Sequence, residues 1–151
     1  MSPYEELGQL NIVLPPAIKP VVAFCMAAQT DNVVFVSGHI ARKEGKPLSG
    51  QLGRELSTQD GQAAARSIAI DLLATLHEHL GDLNRVTRIL KVMCLVNSTP
   101  TFTEQHLVAN GCSELLLAVF GERGRHARSA FGVAQIPLGA CVEIEMVVEV
   151  S

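Results

Sequence analysis

Residues 128–149 read Arg-Ser-Ala-Phe-Gly-Val-Ala-Gln-Ile-Pro-Leu-Gly-Ala-Cys-Val-Glu-Ile-Glu-Met-Val-Val-Glu, two β-type runs joined by a turn at Pro137–Gly139. Side chains alternate along a strand, so Val142, Ile144, Met146, Val148 and Val150 share one face of the second run. Glu143, Glu145 and Glu149 take the other. The even positions belong to a core, and the carboxylates face solvent, a ligand or a partner chain. In the first run Arg128 shares a face with Ala130 and Gly132, and such small neighbours leave room beside the guanidinium for a ligand. The same pattern describes an edge strand that blunts aggregation with charges, and periodicity alone does not separate the two.

Upstream, Glu122–Ala127 is a flexible basic loop leading into Arg128. Before it, Thr101-x-x-Glu104 reads as a capping box for a helix that carries Leu107, Val108, Leu115, Leu116 and Val119 and stops at Gly121. Arg85–Val96 is a long strand with two apolar faces, Leu90/Val92/Cys94/Val96 and Ile89/Met93/Leu95, and is therefore central. One face packs under a helix, and the other is expected to meet a neighbouring subunit. A longer helix is capped by Ser57 or Thr58, with Asp60 suited to its dipole. Its apolar positions Ala64, Ile68, Leu72, Leu76 and Leu80 recur at spacing four, and Gly81 ends it as a left-handed cap. Ala41–Leu56, with Gly45, Pro47, Gly50 and Gly53 among charges, is a loop. Val21–Gln29 and Val33–Val36 pair as a hairpin about Thr30-Asp31-Asn32, and Met1–Leu14 holds a short helix stopped by Pro15-Pro16. The order β-β-α-β-α-β-β, with no repeat or linker, predicts one α+β domain over 1–151, both helices on one face of a sheet, and 1–19 as an N-terminal extension.

Composition narrows the function. The chain has 151 residues, ample for a core, and 48% of them are apolar against 18% charged, which suggests apolar surface shared between subunits. A net charge of −3 has the wrong sign for neutralising a phosphate backbone, and 4% aromatics without Trp offers no base-stacking platform. A ribonuclease role is not supported on these grounds. Cys25, Cys94, Cys112 and Cys141 form no C-x-x-C pair; three lie in apolar runs, as buried thiols in a reducing compartment would. The N-terminal segment lacks the apolar core of a secretory signal, and no apolar run is long enough to span a membrane, so a soluble cytoplasmic protein is expected. No P-loop, dinucleotide fingerprint, nucleophile elbow or metal cluster is present, and no cofactor or metal is expected.

Arg128-Ser129, Ile136-Pro137 and Val142-Glu143-Ile144-Glu145 resemble the C-terminal signature of the YjgF/Rid family of reactive-intermediate deaminases, many of which carry the name endoribonuclease L-PSP. Asn32–Ile40 is similar to the family's apolar strand ending in Ser-Gly-x-Ile. The resemblance runs from about Pro20 onward. It is closer to a longer, less characterised branch with Asn-Gly-x-Ser in the second helix (Asn110–Ser113) and Gly-x-His-Ala-Arg-Ser-Ala at Gly124–Ala130. It implies a chorismate-mutase-like fold, a homotrimer with ligand clefts between subunits, and a small carboxylate-bearing metabolite as partner.

The resemblance also assigns roles. Arg128 matches the family's carboxylate-binding arginine; a guanidinium binds a carboxylate through two parallel hydrogen bonds and keeps its charge. Glu143 matches the glutamate fifteen positions later, which in deaminase members positions or activates water for attack on an imine. Ser37 and Gly38 match the Ser-Gly that borders the cleft, and equally suit a strand end. Three positions depart from the deaminase pattern: Phe24 replaces a tyrosine, Ala130 a cysteine, and His106 an asparagine. They imply a different substrate, or a pocket that binds carboxylates without turnover. An edge carboxylate ion-paired to Arg128 is the plain alternative for Glu143. His77 and His79, two apart on a helix, cannot share a face as metal ligands. His126 either reaches the cleft or caps its loop, while Asn110 and Ser113 lie on one side of the second helix, where local bonds are the commoner role. The expected activity is cofactor-independent hydrolytic deamination of small 2-imino or enamine carboxylates. A non-catalytic, small-carboxylate-binding regulatory trimer is the alternative, and a chorismate-mutase-like rearrangement rests on architecture alone.

Overall fold

A computed structural model describes residues 1–151. Its two long helices start as their local chemistry dictates. Ser57 accepts from the Asp60 N–H, the Asp60 carboxylate accepts from the Ser57 N–H at 2.8 Å, and α2 (Thr58–Leu80) begins there. Gly81, at φ 75°, closes it in the left-handed region. Helix α3 (Gln105–Phe120) starts later than the sequence suggests. Thr101 does not cap it; Glu104 is the N-cap and makes no side-chain cap bond. The Phe102 N–H closes a turn onto the Thr99 carbonyl, which holds Thr101 outside the helix. The Glu104 carboxylate instead accepts from Thr58 Oγ1 at 2.6 Å, tying the two helix N-termini together.

Both helices cover one face of a five-stranded sheet ordered β1-β2-β7-β5-β6, with β1 Ala27–Thr30, β2 Val33–Ile40, β5 Val86–Asn97, β6 Ala127–Val133 and β7 Val142–Val150. Strand β7 is central, hydrogen-bonded to β2 and β5, so the edge-strand alternative fails for the glutamate-bearing run. Its even positions Val142, Ile144, Met146, Val148 and Val150 are buried beneath the helices, as the alternation predicts. The outer edge is β6, parallel to β5, so the turn at Pro137–Gly139 carries the chain past β5 instead of closing a hairpin. A register shift between Ile89 and Lys91 turns Ile89 to the core side with Val92, Cys94 and Val96. The opposite, open face of β5 is therefore Lys91, Met93 and Leu95.

Two segments depart from the sequence reading, and the expected N-terminal helix forms. The strand expected over Val21–Gln29 survives only as Ala27–Thr30; Val21, Val22 and Phe24 lie outside the sheet and are 96%, 65% and 51% exposed. The loop Ala41–Leu56 contains a two-residue hairpin, β3 (Arg42–Lys43) with β4 (Lys46–Pro47), turned by Glu44 and Gly45 at φ 53° and 76°. Helix α1 is Pro3–Gln9, capped by Ser2 and Glu5, and Tyr4 Oη accepts from the Leu83 N–H at 2.8 Å. No helix is long and apolar enough to cross a membrane.

Where α2 and α3 cross, the backbones nearly touch. A Cβ on Gly111 would lie 2.0 Å from the Gln62 carbonyl oxygen, and the Gln62 side chain donates to the Leu107 carbonyl beside it. Gly111→Ala must therefore push two helices apart. It is expected to cost about 3 kcal/mol, a fall of roughly 6–12 °C in Tm by circular dichroism. Gly8→Ala, with nothing within 4 Å, is the control and should leave Tm unchanged or slightly raised. Equal melting of the two variants would contradict the close crossing.

Candidate functional site

Arg128 stands on the edge strand β6 level with Val92, on the helix-covered face, and α3 receives its guanidinium. Nη1 donates to Asn110 Oδ1 at 2.8 Å and to Ser113 Oγ at 3.2 Å, and Nη2 donates to the His106 carbonyl at 3.1 Å. Of the five guanidinium N–H bonds, Nε–H and one on Nη2 remain without a protein acceptor. No acidic side chain pairs with it; the ion pairs of the chain are Lys19–Glu78 and Arg125–Glu122. Ser113 in turn meets His126 Nε2 at 2.9 Å, while His126 Nδ1 lies 2.6 Å from the Gly124 carbonyl. Gly124 is required here: a Cβ on it would fall 2.3 Å from the Leu116 carbonyl oxygen. Ser113, Leu117, Gly124, Arg125, His126 and Arg128 line a cleft of about 250 Å³. Asn110-Gly-x-Ser113 and Gly124-x-His-Ala-Arg128 are thus two halves of one cradle.

A second group lies on the open face. Glu143 alternates away from the core on β7, level with Ile40 of β2 and Leu95 of β5. The β2–β7 register shifts between Val36 and His39, and this bulge contains Ser37 and Gly38. A Cβ on Gly38 would sit 3.0 Å from Glu143 Oε2, so the glycine lets the carboxylate lie against the backbone. Ser37 donates its hydroxyl to the Cys25 carbonyl at 2.7 Å and its N–H to the Met26 carbonyl, anchoring the irregular segment that carries Phe24. Phe24, Cys25, Phe35, Ser37, Glu145 and Val147 border an open groove of about 400 Å³. Burial, reinforced by Glu145 on the same face, pushes the Glu143 carboxyl above its ordinary range.

The predicted residues therefore fall into two groups on opposite faces of one sheet. Arg128, the His106 backbone and Ala130 belong to the first; Glu143, Ser37, Gly38 and Phe24 belong to the second. Within one chain Arg128 and Glu143 form no ion pair. The His106 side chain is exposed and only its carbonyl reaches Arg128, while Ala130 packs against the core beside Cys94. His77 and His79 bond Tyr4 and Gln29, and no cluster of His, Cys, Asp or Glu could hold a metal ion. Burial raises the thiols of Cys94 and Cys141 to about 12 and about 11, so neither supplies a thiolate near neutral pH; Cys25 is exposed. Sequence reasoning left His39 unassigned. The bulge turns this residue inward, where Nδ1–H donates to the Ser37 carbonyl at 2.6 Å and Nε2 accepts from Thr75 at 2.8 Å. Strict alternation would have sent it outward, and the Ser-Gly that creates the bulge is the signal that could have found it.

The fold is thus an α+β sheet with both helices on one face, and an arginine without an acidic partner is cradled at its edge. Residues 16–150 match the family described as "YjgF/chorismate_mutase-like, putative endoribonuclease". The chain is 46% identical to Protein TCP17 of Trypanosoma cruzi over 148 residues, covering 97% of this chain and 92% of that one. The crystal structure of Atu1372, a protein of unknown function from Agrobacterium tumefaciens, is 38% identical with a TM-score of 0.90, covering 99% of this chain and 93% of the other. A structure from Shewanella oneidensis, described as that of a "putative endoribonuclease", is 26% identical with a TM-score of 0.95, covering 99% of this chain and all of the other. The chain belongs to the YjgF/Rid family.

The proton affinity of Glu143 is open to direct measurement. In Glu145→Gln its carboxyl pKa should fall toward the usual carboxylate range but stay above it, because burial is the larger cause. A ¹³C titration of the Glu143 carboxyl carbon reads this. An unchanged midpoint would remove Glu145 as a cause.

Proposed function

We propose that this protein is a cofactor-independent hydrolytic deaminase of small 2-imino or enamine carboxylates, working as a homotrimer with its ligand between subunits. One observation carries the reading. Arg128 and Glu143 lie on opposite faces of the sheet, so a single chain cannot bring them to one ligand. The open face supports an assembled site: Phe35 and Phe131 are exposed on it, beside Met93, Leu95 and Val147. A neighbouring copy covering that face would set its own Arg128 edge against the Ser37–Gly38–Glu143 bulge. We read residues 1–151 as one domain with 1–19 as an extension, in a reducing, cytoplasmic setting that suits four free thiols.

In that cleft Nε–H and Nη2–H of Arg128 hold the substrate carboxylate as a fork. Glu143 takes the proton of the attacking water as its oxygen bonds the imine carbon, and returns it to the nitrogen, giving a carbinolamine. The hydroxyl proton then passes to the amino group, the C–N bond breaks, its electron pair leaves with ammonia, and a keto acid remains. A raised carboxyl pKa suits this task, since a more basic carboxylate is the better proton acceptor. Ser37, Gly38, Phe24, His106 and Ala130 are the proposed lining. Phe24 favours the alternative of a non-catalytic carboxylate-binding trimer in one respect: it offers no hydroxyl where the deaminases have tyrosine. A nuclease role has less support, because Glu143, Glu145 and Glu149 line the open face and would repel phosphates.

Ammonia and keto-acid release from freshly generated 2-imino acids tests the reading. Wild type should exceed the spontaneous rate, Glu143→Gln should lower kcat by roughly 10²–10⁴, and Arg128→Ala should lower kcat/KM by more than tenfold, about 1.4 kcal/mol. Stoichiometric keto-acid binding without turnover, insensitive to Glu143→Gln, would establish the binding trimer instead.

A further inference from the structure

The bonds behind Arg128 have a fixed direction. The Gly124 carbonyl can only accept, so His126 Nδ1 carries the proton and Nε2 carries a lone pair. Ser113 therefore donates its hydroxyl hydrogen to His126 Nε2 and accepts from Arg128 Nη1. The chain of donation runs Arg128, Ser113, His126, Gly124. Protonation of His126 reverses its middle link: Nε2–H must donate, Ser113 Oγ accepts from both neighbours, and the serine O–H is freed toward the cleft it lines.

We propose that His126, acting through Ser113, is the positioning residue of Arg128 and takes up a proton when an anion binds there, so that the site tightens toward carboxylates as the pH falls. This deepens the reading of Arg128 as the carboxylate anchor and rests on it. The surrounding charges are few and mostly engaged. Arg125 is turned to Glu122 at 2.9 Å, and Arg123 donates to the Val86 carbonyl over the Phe120 ring. Lys91 of β5 donates to Ser129, Glu114 on α3 faces the groove toward α2, and the His106 side chain is exposed. The Arg128 guanidinium is the charge left to act on the imidazole. Burial first, and Arg128 after it, lower the His126 pKa in the empty site, with the Gly124 bond opposing them. A carboxylate on Arg128 cancels that repulsion. By reciprocity, protonation tightens the anion as much as the anion favours protonation.

Pyruvate, the smallest 2-keto acid such hydrolysis releases, is the probe. Calorimetric titrations of the intact protein between pH 5.5 and 8, in two buffers of different ionisation enthalpy, read both affinity and proton uptake. Wild type should bind roughly fivefold more tightly at the acid end and take up protons with the ligand. His126→Gln and Ser113→Ala should bind without uptake and without the pH trend, and ¹⁵N spectra should show the His126 midpoint rising when pyruvate is added. Binding by wild type that is independent of pH, or a trend abolished by His106→Gln and not by His126→Gln, overturns the proposal while leaving Arg128 as the anchor. No binding at millimolar pyruvate at any pH overturns both.

Discussion

The period-two alternation along β7 is the constraint on which the rest of the molecule depends. As the central strand, β7 fixes for its neighbours which side is core and which is open. A slip of one residue would bury Glu143, Glu145 and Glu149 beneath the helices and expel five apolar side chains, so the register has no near competitor. Through the paired strands the same constraint reaches the site. It sends Glu143 to the open face and, by way of Val92 on β5, sets Arg128 on the helix-covered one.

What holds Arg128 there is a matter of close backbone approach. Gly111 lets α3 lie against α2, and Gly124 lets the chain entering β6 lie against the last turns of α3. These two contacts bring Asn110, Ser113 and His126 within reach of one guanidinium. The partners are all neutral. Arg125, two residues from His126's far neighbour Ala127, shows the other outcome: it is exposed and its Nε is saturated by both oxygens of Glu122. Such a surface pair contributes little to stability, and the same arrangement at Arg128 would fill the donors a ligand needs.

The sequence discloses most of the fold because periodicity and caps are local. The alternation of β7, the spacing of α2, Ser57 with Asp60, and Gly81 each act within a few residues of chain, and each is legible. What fails is non-local or competitive. Thr101 and Glu104 have the spacing of a capping box, but the turn at Thr99–Phe102 and the bond from Thr58 claim them first. Val21–Met26 has strand-like composition, but the ladder to β2 ends at Val36, where the bulge begins, and beyond it only Ser37 bonds the Cys25 and Met26 carbonyls. His39 points inward only because a bulge resets the alternation. At the site, residue types were legible and their grouping was not, because which face of the sheet a side chain occupies depends on the β5–β6 and β5–β7 registers. Asn110, Ser113 and His126, unremarkable singly, gain meaning only once α3 is laid across β6.

The separation of Arg128 from Glu143 has a chemical use in the proposed trimer. Within reach of each other, an arginine and a carboxylate form a pair that lowers the proton affinity of the acid and occupies the fork of the base. On opposite faces neither happens: Arg128 keeps donors without acceptors, and Glu143, half-buried beside Glu145, keeps a raised pKa. A cleft built from two chains is then the first place the two charges meet. A substrate carboxylate on Arg128 lies between them and screens one from the other, so the glutamate retains its basicity for the water. A monomeric site built from the same two residues would lose that basicity to the ion pair, so the two-faced arrangement is the form in which an arginine anchor and a basic glutamate coexist.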